Sequence, residues 1–383
     1  MIALWLLPLA YATLMSSYYL GWRSVPVWAT PTLKTPTMSV TVIIAARNEA
    51  AYIVACLQSI LGNRYPTHLL EIIVVNDHSE DQTADLVLKF AIQYPRVRLV
   101  NLMDYMGDSL PQGHKKKSIS VAIQQATSNL IVTTDADCEV SKTWLPALVS
   151  VFEAQEHIQL VTAPVQFYRE KNLLGRFQSL DFLGLMGITA AGIYSGWQRM
   201  GNGANLAYRK SVFTAVNGYE GNTHITSGDD MFLIQKVAQV YPDGVFFLKT
   251  LDALVFTEPK PDIGSFISQR LRWGTKNAAL PEWPIRLALG LVFLFCWGIL
   301  VLGICSVFWE GYLPYFIGFC LSKMLLDYIF LREMCLFFDR RDLLRSFFAS
   351  FWLHTTYIAL IGLGSLIWTR YTWKSREEKA IHQ

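Results

Sequence analysis

The stretch Leu130-Ile-Val-Thr-Thr-Asp-Ala-Asp-Cys138 joins a mostly apolar, β-branched run to two carboxylates that are one residue apart. The apolar run has the length and composition of a buried strand. A solvated turn would account for the two aspartates. A site for a divalent cation and its anionic ligand would also account for them, and the residues on either side of the stretch bear on the choice.

The stretch belongs to a series in which short apolar runs alternate with helical patterns. Runs of the same type lie at 39–46, 70–75 and 97–100. The helical patterns lie at 49–61, 83–94 and 116–126. Strands that alternate with helices predict an α/β fold with a mostly parallel sheet covered on both faces.

Carboxylates follow two of these predicted strands. Asp77 comes after the run at 70–75, and Asp135 and Asp137 end the opening stretch. Ligands of parallel sheets bind at the carboxyl ends of the strands, so these side chains share one edge. If the chain stays extended, Asp135 and Asp137 point to the same side. Such a pair suits Mg²⁺ or Mn²⁺ together with phosphate oxygens.

A basic helix start lies between the two acidic strand ends. Gly113-His-Lys-Lys-Lys-Ser118 opens a helical pattern in which lysines and free backbone N–H groups together suit a diphosphate. A solvated basic helix start explains the same residues. Neither a P-loop nor a dinucleotide fingerprint follows a strand, so phosphate charge would have to be met by a segment of this kind.

Two later segments carry further candidates. Ser227-Gly-Asp-Asp-Met-Phe-Leu233 places Asp229, a candidate helix cap, and Asp230, a candidate base for a hydroxyl proton, before a helical pattern. Asp262–Lys276 is amphipathic, and a helix lying on lipid headgroups would explain it. The same segment also combines an amide, a planar cation and an aromatic surface, at Gln269, Arg272 and Trp273.

The composition predicts a membrane-embedded part. The chain is 52% hydrophobic and 16% charged, with a mean hydropathy of +0.29. Apolar runs with few charges lie at 1–22, 287–308, 313–330 and 347–368. We expect an integral membrane protein with one N-terminal and about three C-terminal transmembrane helices. The net charge of +3, without any nucleic-acid motif, argues against a nucleic-acid partner, and the six cysteines lack zinc-site spacing.

Basic residues near the membrane ends predict the orientation. They border the globular segment on both sides, which places it in the cytoplasm, at the cell (inner) membrane. Basic residues also lie on both sides of the last apolar run, at Arg345 and at Arg370, for example. This conflicts with a simple crossing and leaves open a re-entrant or interfacial segment.

Taken in order, the motifs resemble those of the membrane-bound family-2 glycosyltransferases. The matching series is Asp77, Asp135-Ala-Asp137, Gly228-Asp-Asp230 and Gln269-Arg-Leu-Arg-Trp273, and the likeness covers roughly residues 38–280. The resemblance implies a GT-A fold and an inverting, metal-dependent transfer of a sugar from a nucleotide-diphosphate sugar, with UDP as the expected nucleotide. The expected domains are an anchor at 1–22, a cytoplasmic transferase domain at 23–285, a membrane domain at 286–368 and a basic tail at 369–383.

The resemblance also implies residue roles. Asp230 would be the catalytic base. The donor would be bound by Ala45, Arg47, Glu49, Asp77, Lys115, Lys116, Asp135 and Asp137. The metal would be held by Asp137, with Asp135 as a further candidate ligand. The acceptor and the diphosphate would contact Asp229, Gln269, Arg272 and Trp273. His114 and Asp229 depart from residues common in the family, which touches only substrate details.

The acceptor is expected to be a lipid, because three C-terminal apolar segments are few for a secretion channel. A processive polysaccharide synthase is the alternative among enzymes. A catalytically inert membrane subunit is the alternative of another class, and the complete set of carboxylates argues against it. Lys323 and Asp327 are four residues apart in one apolar run, where they predict either an internal ion pair or a contact with an acceptor head group.

Overall fold

The computed structural model describes residues 2–31, 36–105, 114–222, 228–278, 282–367, 370–373 and 376–379. The chain forms two compact units. The sheet unit comprises Pro26–Gln166 and Arg199–Glu258. The helical unit comprises Met1–Val25, Phe167–Gln198 and Pro259–Gln383. Two segments expected in the globular domain, Phe167–Gln198 and the chain from Pro259 to 285, thus group with the helices.

The secondary structure follows the predicted alternation. The strands are β1 Val40–Ala46, β2 Leu70–Asn76, β3 Val97–Asn101, β4 Leu130–Asp135, β5 Cys138–Val140, β6 Leu160–Thr162, β7 Val165–Phe167, β8 Leu206–Arg209, β9 Val245–Phe247, β10 Val255–Thr257, β11 Arg370–Trp373 and β12 Arg376–Lys379. The helices are α1 Leu6–Ser24, α2 Ile53–Leu61, α3 Thr83–Gln93, α4 His114–Gln125, α5 Trp144–Ala154, α6 Leu173–Ser195, α7 Lys210–Ala215, α8 Asp229–Val240, α9 Ile263–Ala278, α10 Trp283–Phe308, α11 Leu313–Phe337 and α12 Phe347–Ile367.

The main sheet of the sheet unit has seven strands in the order β3-β2-β1-β4-β8-β6-β9. β1 pairs in parallel with β2 on one side and with β4 on the other. In this register Ala46 lies opposite Asn76 and Ala45 lies opposite Asp135, so both neighbouring strands end at the same edge. The predicted mostly parallel sheet is confirmed, although β8 runs antiparallel between β4 and β6.

Apolar side chains on the central strands bury this sheet between helices. Ile43, Ile73 and Ile131 are at most 1% exposed and belong to one core cluster, to which α4 contributes Ile119 and α8 contributes Leu233. Strands that are buried on both faces read as nearly continuous apolar runs, which explains why they stand out in the sequence. The packing fixes the starts of α4 and α8, and these starts carry charged candidate residues.

In the helical unit, three helices among the described residues are long and apolar enough to cross a membrane. They are Trp283–Phe308, Glu310–Phe337 and Arg341–Gly364. Large apolar side chains point outward from them, for example Val307, which is 79% exposed. Such surfaces suit lipid rather than water. The predicted C-terminal helices are confirmed as candidate spans.

The remaining helices of this unit are α1, α6 and α9. α1 has 19 residues and is not among the three candidate spans, so the N-terminal anchor stays a prediction. α1 packs closely on α6, because a Cβ added at Gly21 would lie 2.9 Å from Cβ of Ala191. The helix predicted at Asp262–Lys276 is present as α9.

Candidate active site

The carboxyl edge of the main sheet carries the first group of candidate residues. Asp135 is the last residue of β4, and Asp77 follows β2, where its backbone N–H donates to the carbonyl of Ala46 at 2.8 Å. Parallel strands that end together bring these two carboxylates to one edge, as the sequence predicts. β1 lies between β2 and β4. The chain continues from β1 to β2 and β3 on one side and then returns to β4 on the other side, so the strand order reverses between β1 and β4. Sheets of this type bind ligands at the point where the strand order reverses.

The two carboxylates of Asp135 and Asp137 come together through a turn. β4 ends at Asp135, a turn covers Ala136 and Asp137, and β5 begins at Cys138. The condition of an extended backbone through Asp137 is therefore not met. The turn still brings one carboxylate oxygen of Asp135, one of Asp137 and the sulfur of Cys138 within 4.8 Å of one another. The two carboxylates are close because the backbone reverses, whereas an alternating strand was expected to align them.

Lys115 joins three elements of the site. Its Nζ lies 2.6 Å from Oδ1 of Asp135 at the end of β4 and 3.4 Å from Oδ2 of Asp229 at the start of α8. Burial acts to lower the pKa of Lys115, but the charges of Asp135, Asp229 and Asp230 outweigh burial and raise the pKa above its ordinary value. Lys115 is therefore a fixed positive charge among carboxylates.

Asp229 and Asp230 open α8 after Gly228, whose φ of 84° is a left-handed conformation that glycine adopts easily. The two oxygens of Asp230 accept backbone hydrogen bonds, one from Gly203 at 3.0 Å and one from Met231 at 2.8 Å. These bonds fix the orientation of the Asp230 carboxylate. The expected cap residue is Asp229, but the residue at the N-cap is Gly228, and Asp229 is the first residue of α8. Asp229 is buried beside Lys115.

Gly203 lies against this group of charges. A Cβ added at Gly203 would lie 3.1 Å from Oδ2 of Asp229 and 3.6 Å from Nζ of Lys115. Only glycine lets the backbone come this close without moving the charged groups. The sequence alone gives Gly203 no role.

Asp77 accepts hydrogen bonds from two histidines. Oδ1 of Asp77 lies 2.8 Å from Nδ1 of His78 and 3.1 Å from Nδ1 of His114, and Asp77 is 3% exposed. These lengths are those of hydrogen bonds, which account for the cluster without a metal. His78 adopts a left-handed φ of 54°. The sequence marked His114 only as a departure from the family, and its contact with Asp77 becomes visible in the structure.

The first loop after β1 lies beside Asp77. Nη1 of Arg47 donates to the backbone carbonyl of Asp77 at 3.4 Å, and the backbone N–H of Glu49 donates to Oγ1 of Thr83 at 2.8 Å. Both Arg47 and Glu49 are 6% exposed. Ala45 is adjacent to Asp135 in the sheet register. Ala45 at the end of β1 and the loop residues Arg47 and Glu49, which are expected near the donor, therefore lie at the same sheet edge as Asp77 and Asp135.

Lys116 points away from Lys115. Its Nζ donates to the backbone carbonyl of Asn222 at 2.8 Å and lies 4.7 Å from the ring centre of Phe232, and the residue is 1% exposed. Consecutive helix residues point in different directions, so the two lysines cannot share one ligand easily. The donor contact of Lys116 stays a prediction that variants have to test.

Gln269, Arg272 and Trp273 lie on α9 in the helical unit. All three are half-buried, and Oε1 of Gln269 is buried without a hydrogen-bond partner among the described residues. The indole of Trp273 lies 6.2 Å from the ring of Phe182 on α6. Their roles toward an acceptor stay predictions.

The donor set of Asp135 and Asp137 fits a hard divalent cation. Carboxylate oxygens are the ligands that Mg²⁺ and Mn²⁺ prefer. Lys115 already neutralises Asp135, whereas the one side-chain contact described for Asp137 is the thiol of Cys138 at 3.8 Å. The Cys138 thiol is a soft donor, whereas Mg²⁺ and Mn²⁺ prefer oxygen, so the two carboxylates are the better candidate ligands.

Comparison with known proteins places this arrangement in a family. The sequence model of "Glycosyl transferase family group 2" matches residues 130–371, more than half of the chain. The chain belongs to this glycosyltransferase family. The related model "Glycosyl transferase family 2" matches residues 41–216, which include β1 to β4 and the Asp135-Ala-Asp137 turn. The predicted family is confirmed.

Two curated relatives share about a quarter of their residues with this chain over the matched part. A probable glycosyltransferase, YdaM of Bacillus subtilis, is 28% identical over 67% of this chain and 58% of its own length. A poly-β-1,6-N-acetyl-D-glucosamine synthase of Staphylococcus aureus is 26% identical over 49% of this chain and 43% of its own. The chain thus spans less than two thirds of either relative.

A solved structure supports the fold. The mannosyltransferase PcManGT of Pyrobaculum calidifontis, in complex with GDP-Man and Mn²⁺, is 19% identical, with a TM-score of 0.58 over 95% of this chain and 96% of its own. The predicted GT-A fold is confirmed by this likeness.

Proposed function

We propose that this glycosyltransferase moves a sugar, with inversion, from a nucleotide-diphosphate sugar to a hydroxyl group of a membrane lipid. The observation that carries the proposal is the contact of Lys115 with both Asp135 and Asp229. It gathers a fixed positive charge and the carboxylates of β4 and α8 at the ligand edge of the sheet. UDP is the nucleotide expected from the family resemblance, and GDP is the alternative suggested by the complex of PcManGT.

The donor side of the reaction requires charge neutralisation. The bond between the anomeric carbon and the diphosphate oxygen breaks, and the electron pair stays with the departing nucleoside diphosphate. Lys115 is placed to stabilise that developing negative charge, since it lies among groups that keep it protonated. Asp77, held by His78 and His114, would orient the nucleoside part.

A divalent cation, Mg²⁺ or Mn²⁺, would be held by Asp137 with Asp135 as a second candidate ligand. When bound, such a cation supplies positive charge to the phosphate oxygens of the donor. The closeness of the two carboxylates supports this assignment. The Mn²⁺ in the PcManGT complex belongs to that protein and is consistent with it.

Asp230 is the proposed base. The acceptor hydroxyl oxygen forms the new bond to the anomeric carbon on the face opposite the leaving group, and its proton passes to the carboxylate of Asp230. The hydrogen bonds from Gly203 and Met231 orient this carboxylate in advance. One displacement of this kind inverts the anomeric configuration.

The acceptor is proposed to be a lipid because the helical unit offers three candidate membrane spans. Gln269, Arg272 and Trp273 on α9 would bind the acceptor and the diphosphate. We place the protein in the cell (inner) membrane with the sheet unit in the cytoplasm, on the basis of the basic residues near the membrane ends. A processive polysaccharide synthase is the second candidate, which the likeness to the staphylococcal synthase favours.

The two candidates give different products. Membranes that contain the full-length protein are incubated with UDP- and GDP-sugars in the presence of Mg²⁺ or Mn²⁺, and the lipids are extracted and identified by mass spectrometry. A lipid with one added sugar supports the proposal, whereas a polymer ladder supports the synthase. No product with any donor would support the catalytically inert subunit.

The Asp230→Asn variant tests the mechanism in the same assay. Asn keeps the size of the side chain and one oxygen for the Gly203 N–H, but it is a far weaker base. Transfer should fall by about 10²-fold or more, while nucleotide-sugar binding survives. Near wild-type turnover of the purified variant would contradict the role of Asp230.

A further inference from the structure

Arg270 lies on the same helix as Gln269 and Trp273 and makes an ion pair inside the helical unit. Its Nη2 lies 2.7 Å from Oδ2 of Asp181 on α6, and the two side chains are 4% and 6% exposed. Neither Nη2 nor Nε of Arg270 makes a hydrogen bond of acceptable angle among the described residues, so the contact with Asp181 is an ion pair held by charge and proximity. The pair links α9 to α6.

Aromatic rings surround the Arg270 guanidinium. Its central carbon lies 4.6 Å from the ring centre of Trp273, 5.1 Å from that of Phe266 and 5.4 Å from that of Tyr357. A planar guanidinium stacks on such rings, which the compact ammonium of lysine does less well. Trp273 thus has part of its ring system covered by Arg270 and is itself half-buried.

The carboxylate of Asp181 is shared with α12. The hydroxyl of Tyr357 donates to Oδ1 of Asp181 at 3.2 Å, and Nε2 of His354 lies 3.8 Å from the same oxygen. The ring of Tyr357 also packs edge-to-face on Phe266 at 5.6 Å. Asp181, Arg270 and Tyr357 therefore tie three helices together, and one of these helices carries the candidate acceptor residues.

We propose that Arg270 is a positioning residue for the acceptor: it fixes the plane of the Trp273 indole and the rotation of α9 about its axis. This inference rests on the proposed function, in which Gln269 and Trp273 contact the acceptor. Oε1 of Gln269 is buried without a hydrogen-bond partner among the described residues, so it suits a hydroxyl donor from a ligand. The acceptor class is an amphipathic molecule with a hydroxyl-bearing head group, which an amide and an indole recognise together.

Three variants of the full-length protein test the inference. Arg270→Lys keeps the positive charge beside Asp181 but removes the planar surface, and Tyr357→Phe removes only the hydroxyl that donates to Asp181. Arg332→Lys is the matched control, because Arg332 has a side chain that is 54% exposed on α11. The readouts are the Kd for the nucleoside diphosphate with Mn²⁺, the KM and kcat for the acceptor, hydrolysis of the donor without acceptor, and the Tm in detergent.

We expect Arg270→Lys to lower kcat/KM for the acceptor by about 10- to 100-fold, since small misplacements of a substrate carry such losses. The nucleotide Kd and donor hydrolysis should change by much less than the acceptor kcat/KM, and Tyr357→Phe should shift acceptor kinetics in the same direction by less. Unchanged acceptor kinetics in Arg270→Lys would overturn the inference. A parallel loss of nucleotide binding, hydrolysis and Tm would also overturn it, because that pattern means general destabilisation. Failure of the proposed function itself appears separately, as wild-type protein that transfers sugar to no acceptor.

Discussion

The Nζ of Lys115 lies 2.6 Å from Oδ1 of Asp135, so a helix start and a strand end meet through one ion pair at the ligand edge of the sheet. The same ammonium group reaches Asp229 at 3.4 Å. Lys115 thereby joins the end of β4 to the start of α8. Among the described contacts, none joins Lys115 to Asp137, the carboxylate of the turn. This arrangement separates Lys115, proposed to neutralise phosphate, from Asp137, proposed to hold the cation.

Replacing Lys115 by Met should weaken binding of the nucleoside diphosphate at least about 10-fold, which corresponds to about 1.4 kcal/mol. The substitution removes a positive charge from the neighbourhood of the diphosphate and leaves Asp135 and Asp229 without their ion pair. Lys117→Met is the control, because Lys117 is exposed on the same helix. Lys116→Met tests the predicted donor contact of Lys116: a weaker Kd supports that contact, whereas a lower Tm with an unchanged Kd assigns Lys116 to its contacts with Asn222 and Phe232. Titration of nucleotide into the purified proteins distinguishes these outcomes. Equal weakening in Lys115→Met and Lys117→Met would contradict the assignment.

The contribution of Lys115 to stability should not change between about pH 6 and pH 9. The folded protein raises the pKa of Lys115 above its unfolded value of about 10.4, so the stabilisation is fully present below that value. It is lost only as the pH rises through the still higher folded-state pKa. The measurement is the difference in free energy of unfolding between wild type and Lys115→Met at several pH values. If the difference in free energy of unfolding becomes smaller between pH 6 and pH 9, another group that titrates in this range contributes to it.

Asp137→Asn should raise the Mn²⁺ concentration needed for half-maximal transfer by about 10-fold or more, because a neutral amide replaces a charged ligand. Nucleotide binding without metal should change little. Asp243→Asn is the matched control, since Asp243 is exposed in the loop between α8 and β9. Activity is measured at increasing Mn²⁺ concentrations after removal of metal with a chelator. An unchanged Mn²⁺ requirement in Asp137→Asn would show that Asp137 is not a metal ligand.

Gly203→Ala should reduce turnover by about 10-fold or more without unfolding the protein. The added methyl group would lie 3.1 Å from Oδ2 of Asp229, which pushes that carboxylate or Lys115 away from its place. Displacements of this size near reacting groups lower rates strongly. Gly311→Ala is the control, because a Cβ at Gly311 would meet nothing within 4 Å. Wild-type turnover in Gly203→Ala would contradict this prediction, because it would show that a methyl group fits beside Asp229 without displacing the charged groups.

Much of the sheet unit is predictable because its strands are buried on both faces. The apolar runs before Asp77 and Asp135 predicted parallel strands and a shared edge, and both features are present. The turn at Asp137 was missed, since an alternating pattern and a turn look alike over three residues. The role of Gly203 was also missed, because a close backbone approach depends on residues far away in the sequence.

The helical unit was less predictable. α6 has no uncharged run of membrane length, because Asp181 interrupts it, and no motif marks Asp181 as the partner of Arg270. The pairing of a polar residue in one helix with a cation in another is a tertiary contact, which helical periodicity does not encode. The ion pair of Lys323 and Asp327 was open to prediction because both residues lie on one helix, four positions apart.

That ion pair leads to the last prediction. Lys323 is fully buried, pairs with Asp327 and lies 3.3 Å from Nδ1 of His354, while the hydroxyl of Tyr11 donates to Asp327 at 2.5 Å. These contacts favour the internal ion pair over a head-group contact. Lys323→Leu should destabilise the protein by about 3 kcal/mol, because it leaves the mostly buried carboxylate of Asp327 without its counter-charge.

The double variant Lys323→Leu/Asp327→Asn provides the control. Asn removes the negative charge but keeps an oxygen for the Tyr11 hydroxyl, so stability should recover by more than about 0.5 kcal/mol beyond additivity. The Tm in detergent and kcat/KM for the lipid acceptor are measured for both variants. Wild-type acceptor kinetics in the double variant are expected, because an internal ion pair makes no contact with the acceptor. A loss of acceptor affinity in a double variant of normal Tm would instead assign Lys323 to the head group of the acceptor.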